Sequence, residues 1–321
     1  MKLSHQSAVF TMVGVTFLWA TAGVVTRHLE SARSFELTFW RSLFAFAALA
    51  LFVGLQGGTK AFAALRHQGR AFWVSAVCWC GMFTFYMVAL TLTTVANVLV
   101  VMSIGPLVTA LMAWAFIGHR VPPRTWVAIA VSGAAMAWMF WGQASGMNLV
   151  ATLVTLGVPL CGALNWTVTQ HAYRQPAPSV QNAQSRTGTE PFARPVDKPV
   201  DKPVDLVPAV MLGALLSCLV TLPLAWPLQS TWHDVGLLAG LGLGQLAVPC
   251  MLAVWCTRHL AAPEISLLAM LETVFGIALA WAGAGEAPAP NVLVGGMVVM
   301  ATLAGNEWLG WRVPGKGPAT G

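Results

Sequence analysis

Long apolar runs alternate with short polar breaks along nearly the whole chain. An α-helix needs roughly 20 apolar residues to cross the hydrocarbon core of a bilayer, and most runs reach that length. The runs between charged or turn-forming breaks predict ten transmembrane helices and therefore an all-α integral membrane protein. The predicted spans are 8–26, 35–55, 71–90, 95–117, 124–142, 148–172, 206–228, 234–257, 263–284 and 290–311.

The composition agrees with this class of protein. Of the 321 residues, 57% are hydrophobic and only 9% are charged, whereas a soluble domain carries about 25% charged residues. The net charge of +6 is accounted for by the lysine and arginine excess of cytoplasmic loops. No basic helix or zinc-type spacing accompanies it, so we expect the lipid bilayer and not nucleic acid as a partner. The six cysteines lie in or beside apolar runs, and the histidines are scattered, so we expect neither a metal site nor a cofactor.

Lysine and arginine also indicate the orientation of the spans. With a cytoplasmic N-terminus, 14 of the 17 lie on the cytoplasmic side, Arg27 and Arg33 lie outside, and Arg41 remains within a span. Because cytoplasmic loops carry the positive excess, we expect a multi-pass inner-membrane protein with both termini in the cytoplasm. The first apolar run continues past the small residues at 20–22, which favours a retained span over a cleaved signal peptide.

One connection differs from all the others. Residues 173–205 are rich in proline, glutamine and charge, and include VDKPVDKPVD at 196–205. Such a segment lacks the apolar residues needed to fold alone, so it is predicted to be a disordered cytoplasmic linker. Residues 312–321 are predicted to form a cytoplasmic tail.

Two pairs of segments in the chain resemble each other. A shift of 167 residues lays ALMAWAFIGHRVPP (Ala110–Pro123) on IALAWAGAGEAPAP (Ile277–Pro290). A shift of 147 residues lays WATAGVVTR (Trp19–Arg27) on WTVTQHAYR (Trp166–Arg174). Both pairings follow the same order along the chain, which indicates a repeat of five helices.

The repeat divides the chain into residues 1–147 and 148–311, with the linker interrupting the second copy. Because five is odd, the second copy is inverted in the membrane relative to the first. Inverted repeats are typical of secondary transporters, whose substrate site lies near the midplane where the two halves meet. The architecture therefore predicts a transporter that works by alternating access.

Five stretches of the chain form a sequence pattern through their residues, their order and their spacing. They are FLWATAGVVTR (Phe17–Arg27), FWRSLFAFAALAL (Phe39–Leu51), SIGPLVTALMAWAFIGHR (Ser103–Arg120), ALNWTVTQHAYR (Ala163–Arg174) and LETVFGIALAWAGAGE (Leu271–Glu286). Together they resemble the drug/metabolite transporter superfamily, specifically its ten-helix EamA-type exporters, over nearly the whole chain except the linker. The resemblance implies export of small metabolites, often amino acids or related compounds.

The chain departs from that family pattern at two places. It reads Gly118-His119 where the family usually reads Gly-Glu, and Glu272-Thr273 where the family often reads Glu-Pro. A proline-dependent kink is therefore expected in the fourth helix, with Pro106 as the hinge candidate, and not in the ninth.

Two charged residues at membrane depth are the leading candidates for the site. A carboxylate in hydrocarbon is costly, so Glu272 is predicted to line the central cavity, where it would bind a cationic part of the substrate or a proton. The alternative is an acid that hydrogen-bonds a neighbouring helix. Arg41 would either face the cavity and attract a carboxylate or extend its side chain to the outer surface.

Four further residues are weaker candidates. Asn165 and Gln245 would either line the cavity or bridge neighbouring helices. Trp19 and Trp166 lie several residues inside their spans, and they would either flank a substrate or fill the core. Together with Glu272 and Arg41, these form the predicted substrate-binding or coupling set. No catalytic residue is predicted.

Two other functions remain alternatives. A sugar-phosphate or nucleotide-sugar carrier of the same superfamily would need fixed positive charges at depth, and Arg41 is the only intramembrane arginine. A membrane-embedded enzyme would need a nucleophile with a base, paired acids or metal ligands, and Glu272 is the one clear acid at depth. The sequence therefore favours a non-enzymatic exporter of a small organic molecule.

Overall fold

The computed structural model describes residues 4–31, 34–93, 95–141, 149–174, 205–284 and 289–312. In these residues the regular structure consists of helices, and nine helical segments are long and apolar enough to cross a membrane. The expectation of an all-α membrane protein is therefore confirmed. Most of the predicted linker, together with residues 313–321 of the predicted tail, lies outside the described residues.

Thirteen α-helices and one π-helical turn build the described bundle. They are α1 (His5–Val25), α2 (Ser34–Ala64), α3 (Arg70–Leu92), α4 (Val95–Met102), α5 (Gly105–Ile117), α6 (Pro123–Phe140), α7 (Leu149–Arg174), α8 (Val207–Ala225), α9 (Trp232–Leu241), the π turn (Gly242–Ala247), α10 (Val248–Cys256), α11 (Ala262–Ala269), α12 (Leu271–Ala284) and α13 (Pro290–Arg312). Successive spans run antiparallel. Each span therefore has one end on the side of the bundle where α1 begins, at His5, and the other end on the side where α1 ends, at Val25. We call these two ends of the bundle the His5 end and the Val25 end.

Helix α6 is the segment that corresponds to the predicted fifth span. It is an 18-residue helix with proline at its first position, where the missing N–H costs nothing. It is not among the nine segments, because Pro123 and Arg124 at its start make it less apolar than the others. It packs along α13, and Thr125 Oγ1 donates a hydrogen bond to Asn306 Oδ1 over 3.2 Å.

Two spans are interrupted at equivalent positions in the proposed repeats. The fourth span breaks between α4 and α5, where Pro106 has no N–H to donate to the Met102 carbonyl. The ninth span breaks at Met270, whose N–H donates to the Leu267 carbonyl over 3.2 Å in a 3₁₀-like turn. The shift of 167 residues places Ser103 on Met270. The ninth span, where no proline-dependent kink is expected, is thus interrupted by a turn that forms without proline.

The Val25 end is held together by two fully buried carboxylates. Asp234 accepts hydrogen bonds from the backbone N–H groups of Glu30 and Ser31 over 2.8 and 2.9 Å. Glu36 accepts the backbone N–H of Ser230 over 2.7 Å. Asp234 of α9 thus binds the α1–α2 connection, and Glu36 of α2 binds the α8–α9 connection. These hydrogen bonds to charged acceptors hold the two connections together.

Candidate functional site

A cavity of about 680 Å³ opens between the two predicted halves of the chain. Its walls come from both sides of the linker, and they extend from Ser266, one turn into α11, to Ala289 at the Val25 end. The volume lies in the range of sites for small organic ligands. Six aromatic residues line the cavity: Trp19, Trp79, Phe83, Tyr86, Phe140 and Trp166.

Glu272 lines this cavity at the point where the ninth span is interrupted. It is the second residue of α12, two positions after the turn at Met270, and its side chain is half-buried. Among the described residues its carboxylate has no hydrogen-bond or ion-pair partner. Glu272 therefore lines the cavity, as the sequence predicts, and its carboxylate bridges no helices within the described residues.

Arg41 lines the same cavity from the first half of the chain. It is 5% exposed, so its side chain is buried against the cavity wall and does not extend into solvent. Its Nη1 donates a long hydrogen bond of 3.5 Å to Gln245 Oε1. Its Nε is buried and has no partner in the described residues. The guanidinium therefore retains donors that an anionic group in the cavity can use.

Gln245 connects Arg41 to the first helix. It lies in the π turn, and its Nε2 donates to the Trp19 carbonyl over 3.4 Å. Single π turns inside α-helices occur frequently at functional sites. Trp19 and Gln245 both line the cavity, as does Trp166, whose ring meets that of Trp79 edge to face at 5.5 Å.

Arg41 and Glu272 line the same cavity from different helices. Within the described residues they do not form a direct ion pair. The cavity thus presents a cation and an anion on separate helices, with an apolar and aromatic surface around them. Such an arrangement can bind a molecule that carries both charges.

Asn165 is not part of the cavity lining. It is fully buried, and its Oδ1 accepts a hydrogen bond of 2.7 Å from Ser75 Oγ, which joins α7 to α3. Of the two roles considered for it, the geometry matches helix bridging. Pro106 lies in the cavity wall beside the interruption of the fourth span.

Sequence reasoning missed several residues of the lining. Tyr86 lines the cavity, and the chain contains only two tyrosines. A phenol inside a predicted span places a polar group at membrane depth, so the sequence could have indicated Tyr86 as a candidate lining residue. Trp79 and Ser266 also line the cavity, and nothing in their sequence context distinguishes them from packing residues.

Outside the cavity, the fold assembles two groups of potential metal ligands. His5, Glu264 and Glu307 meet at the His5 end, with ligand atoms within 4.8 Å of one another. Glu30, His233 and Asp234 meet at the Val25 end. The first group joins residues separated by more than 40 positions, so no sequence spacing could have indicated it.

Comparisons with known proteins agree with the geometry. Residues 6–141 match the model of the EamA-like transporter family. A solved structure, described as a crystal structure of a protein, is 16% identical, with a TM-score of 0.74 over 97% of this chain and 100% of that chain. At this identity the likeness shows the fold alone. No curated protein matches the sequence.

Proposed function

We propose that the chain is a membrane transporter that exports a small zwitterionic metabolite of the amino-acid class. The match of residues 6–141 to the EamA-like transporter family supports the transporter class. The observation that carries this proposal is the pairing of Arg41 and Glu272 on one cavity. A substrate carboxylate would meet the guanidinium, and a substrate ammonium would meet the Glu272 carboxylate. The aromatic walls would contact the apolar part of the molecule.

The same lining disfavours a sugar-phosphate or nucleotide-sugar carrier. A phosphate dianion requires several fixed donors or positive charges. Among the described lining residues Arg41 is the one cation, and Glu272 would repel a phosphate. An enzyme is disfavoured as well, because this described lining holds one carboxylate and no histidine to pair with its serines or cysteine.

We propose that the interrupted spans allow alternating access. Helices α5 and α11 pack against each other, and a Cβ on Gly105 would lie 3.6 Å from Ser266 Oγ. Pro106 follows Gly105 directly and would act as the hinge of the fourth span. Interrupted helices in corresponding positions of two halves are typical of transporter substrate sites.

The sequence contains no nucleotide-binding motif, so an ion or substrate gradient would drive transport.

The charge distribution supports a cytoplasmic location for the His5 end. The cavity reaches the Val25 end, so in this orientation the structure would correspond to an outward-open state. Reporter fusions test the orientation: fusions at Ala183 and Pro318 should report the cytoplasm, and a fusion at Gln143 should report the periplasm. A periplasmic signal at Ala183 would contradict the inverted repeat, because the parity of the spans would then be wrong.

Counterflow in proteoliposomes tests the substrate class. Vesicles loaded with one amino acid should accumulate labelled amino acid. A methyl ester lacks the carboxylate for Arg41, and an N-acetyl derivative lacks the ammonium for Glu272, so each should compete at least about tenfold more weakly. Sugar phosphates serve as the contrasting class. Competition by sugar phosphates and none by amino acids would overturn the proposal.

A further inference from the structure

The second span ends in a sharp bend at the His5 end of the bundle. The apolar part of α2 runs from Phe35 to Gly58, and at Gly58 the backbone leaves the helical conformation, with φ 57° and ψ −152°. Only glycine adopts this region of φ and ψ readily. Helical turns follow at 59–67 and lead to α3, which begins at Arg70. We call residues 58–70 the Gly58 elbow.

The elbow folds back onto the end of its own span. A Cβ on Gly54 would lie 3.6 Å from Phe62 Cε2, so Phe62 rests against α2 one turn before the bend. A Cβ on Gly57 would lie 2.9 Å from the Ala61 Cβ, which is closer than ordinary contacts permit. Ala61 and Leu65 pack on the hydrophobic core of the bundle. The elbow is therefore held in a defined position by its apolar residues.

The outward side of the elbow combines an aromatic ring with basic groups. Phe62 remains 38% exposed although it contacts the span. Lys60, Arg66 and Arg70 are exposed, and within the described residues none of them forms an ion pair. Phe62 and Arg66 are four residues apart, which places them on one face of the helical turns. Basic groups beside an exposed aromatic ring are typical of helices that lie at the bilayer surface.

The charge balance around the elbow is entirely positive. The sequence contains no aspartate or glutamate at positions 37–189. Glu264 and Glu307 lie at the same end of the bundle, but they contact His5 and Asn306. The anions that a bilayer supplies at this depth are the headgroups of acidic lipids, and each nearby lysine or arginine strengthens binding to them about fivefold. The elbow therefore fits an anionic headgroup better than a zwitterionic one.

We propose that the Gly58 elbow is a surface that binds anionic phospholipids of the surrounding bilayer. Lys60, Arg66 and Arg70 attract the lipid phosphates, and the Phe62 ring contacts the upper part of the acyl chains. Trp73, which is 47% exposed in the first turn of α3, adds an aromatic group at the same end. No residue of the elbow lines the cavity, so this surface is separate from the proposed substrate site.

Hydrogen–deuterium exchange on the full-length protein in nanodiscs tests this proposal without any substrate. One set of nanodiscs contains phosphatidylcholine alone, and the other contains an equal mixture of phosphatidylcholine and phosphatidylglycerol with the same acyl chains. The amides of residues 59–69 should exchange about tenfold more slowly in the mixture, because bound headgroups oppose local opening. The α8–α9 connection at the Val25 end is the internal reference, and its exchange should be the same in both.

Arg66→Gln removes one positive charge from the elbow, so the difference between the two lipid compositions should fall to about twofold. Arg66→Lys keeps the charge and should keep most of the difference. Arg120→Gln is the matched control, because Arg120 is also an exposed arginine at the His5 end, and it should keep the full difference. If Arg66→Gln is not monodisperse, Lys60→Gln decides with the same expected loss.

Four results would overturn the proposal. The first is equal exchange of residues 59–69 in the two compositions. The second is a full wild-type difference in Arg66→Gln or in Lys60→Gln. The third is an equal slowing at the α8–α9 connection, which would assign the effect to the bilayer as a whole. The fourth is the same protection in phosphatidylcholine nanodiscs with soluble inorganic phosphate, which would indicate a site for small anions. Each result is independent of whether the cavity binds zwitterions.

Discussion

The backbone of Gly242 lies directly against the backbone of Arg41. A Cβ placed on Gly242 would stand 2.7 Å from the Arg41 carbonyl oxygen and 2.7 Å from Phe44 Cβ. These distances are far shorter than ordinary contacts, so only glycine allows the π turn to approach α2 this closely. The approach places Gln245, three residues later, within hydrogen-bond reach of the Arg41 guanidinium.

Gly242→Ala should therefore displace the π turn from α2. Overpacking of a well-packed interior costs about 1–3 kcal/mol, and we expect a lower thermal unfolding temperature in detergent together with reduced counterflow. Gly244→Ala is the matched control, because a Cβ on Gly244 would have no neighbour within 4 Å. Equal stability and equal transport of the two variants would show that the close approach is not needed.

Asp234 is expected to stabilise the Val25 end. Asp234→Asn replaces one acceptor oxygen by an amide that faces backbone N–H donors from Glu30 and Ser31. A buried donor left without an acceptor costs about 1–3 kcal/mol, so the unfolding temperature should fall by several degrees. Differential scanning fluorimetry measures this change.

The control for that experiment is Glu30→Gln. The Glu30 side chain is 61% exposed, and its part in the connection to Asp234 comes from the backbone N–H, so its replacement should leave the unfolding temperature nearly unchanged. A similar loss in both variants would attribute the effect to surface charge rather than to the buried carboxylate.

The membrane spans could be predicted from the sequence because the bilayer requires a minimum apolar length. Glu272 and Arg41 could be chosen as candidate site residues because they are charged and lie inside predicted spans. An ionised group in hydrocarbon needs a cavity or a partner. The rotation of each helix could not be predicted, because it depends on packing partners. Asn165 therefore faces Ser75 of α3, although its neighbour Trp166 lines the cavity.

Other features depend on contacts that are distant along the chain. The turn at Met270 forms without proline, so the residue pattern alone did not indicate it. Another such feature is the group formed by His5 of α1, Glu264 of α11 and Glu307 of α13. Only the folded bundle brings such residues together, whereas a local motif can be recognised by its spacing.

Arg41→Lys should weaken binding of the substrate carboxylate. Lysine keeps the charge but loses the planar fork of donors, and its ammonium would not reproduce the contact of Arg41 Nη1 with Gln245. We expect KM in counterflow to rise about tenfold, as for one lost charge-assisted hydrogen bond. A methyl ester substrate, which has no carboxylate, should be affected much less.

Arg66→Lys is the control for that change, because Arg66 is exposed at the His5 end of the bundle. It should keep the wild-type KM for both compounds. If Arg41→Lys raised KM for the amino acid and its methyl ester equally, Arg41 would be a structural residue and the carboxylate would bind elsewhere.

Glu272→Gln tests the cationic side of the site. The substitution keeps the size of the side chain and removes its negative charge, so a substrate ammonium loses its partner in the cavity. Transport of the amino acid should fall by about tenfold to a hundredfold, while the amount of protein in the membrane stays close to wild type. Glu272→Asp should be intermediate, because the carboxylate remains but is displaced by about one methylene group.

Two further comparisons separate this role from a role in packing. The N-acetyl derivative has no ammonium, so Glu272→Gln should reduce the preference for the free amino acid over that derivative. Glu272→Leu should also lose transport and still accumulate in the membrane, because the carboxylate has no hydrogen-bond partner among the described residues. A packing acid would behave in the opposite way, with Gln tolerated and Leu poorly accumulated. Wild-type transport and preference in Glu272→Gln would remove this residue from the site, and Arg41 would then be the leading candidate for recognition.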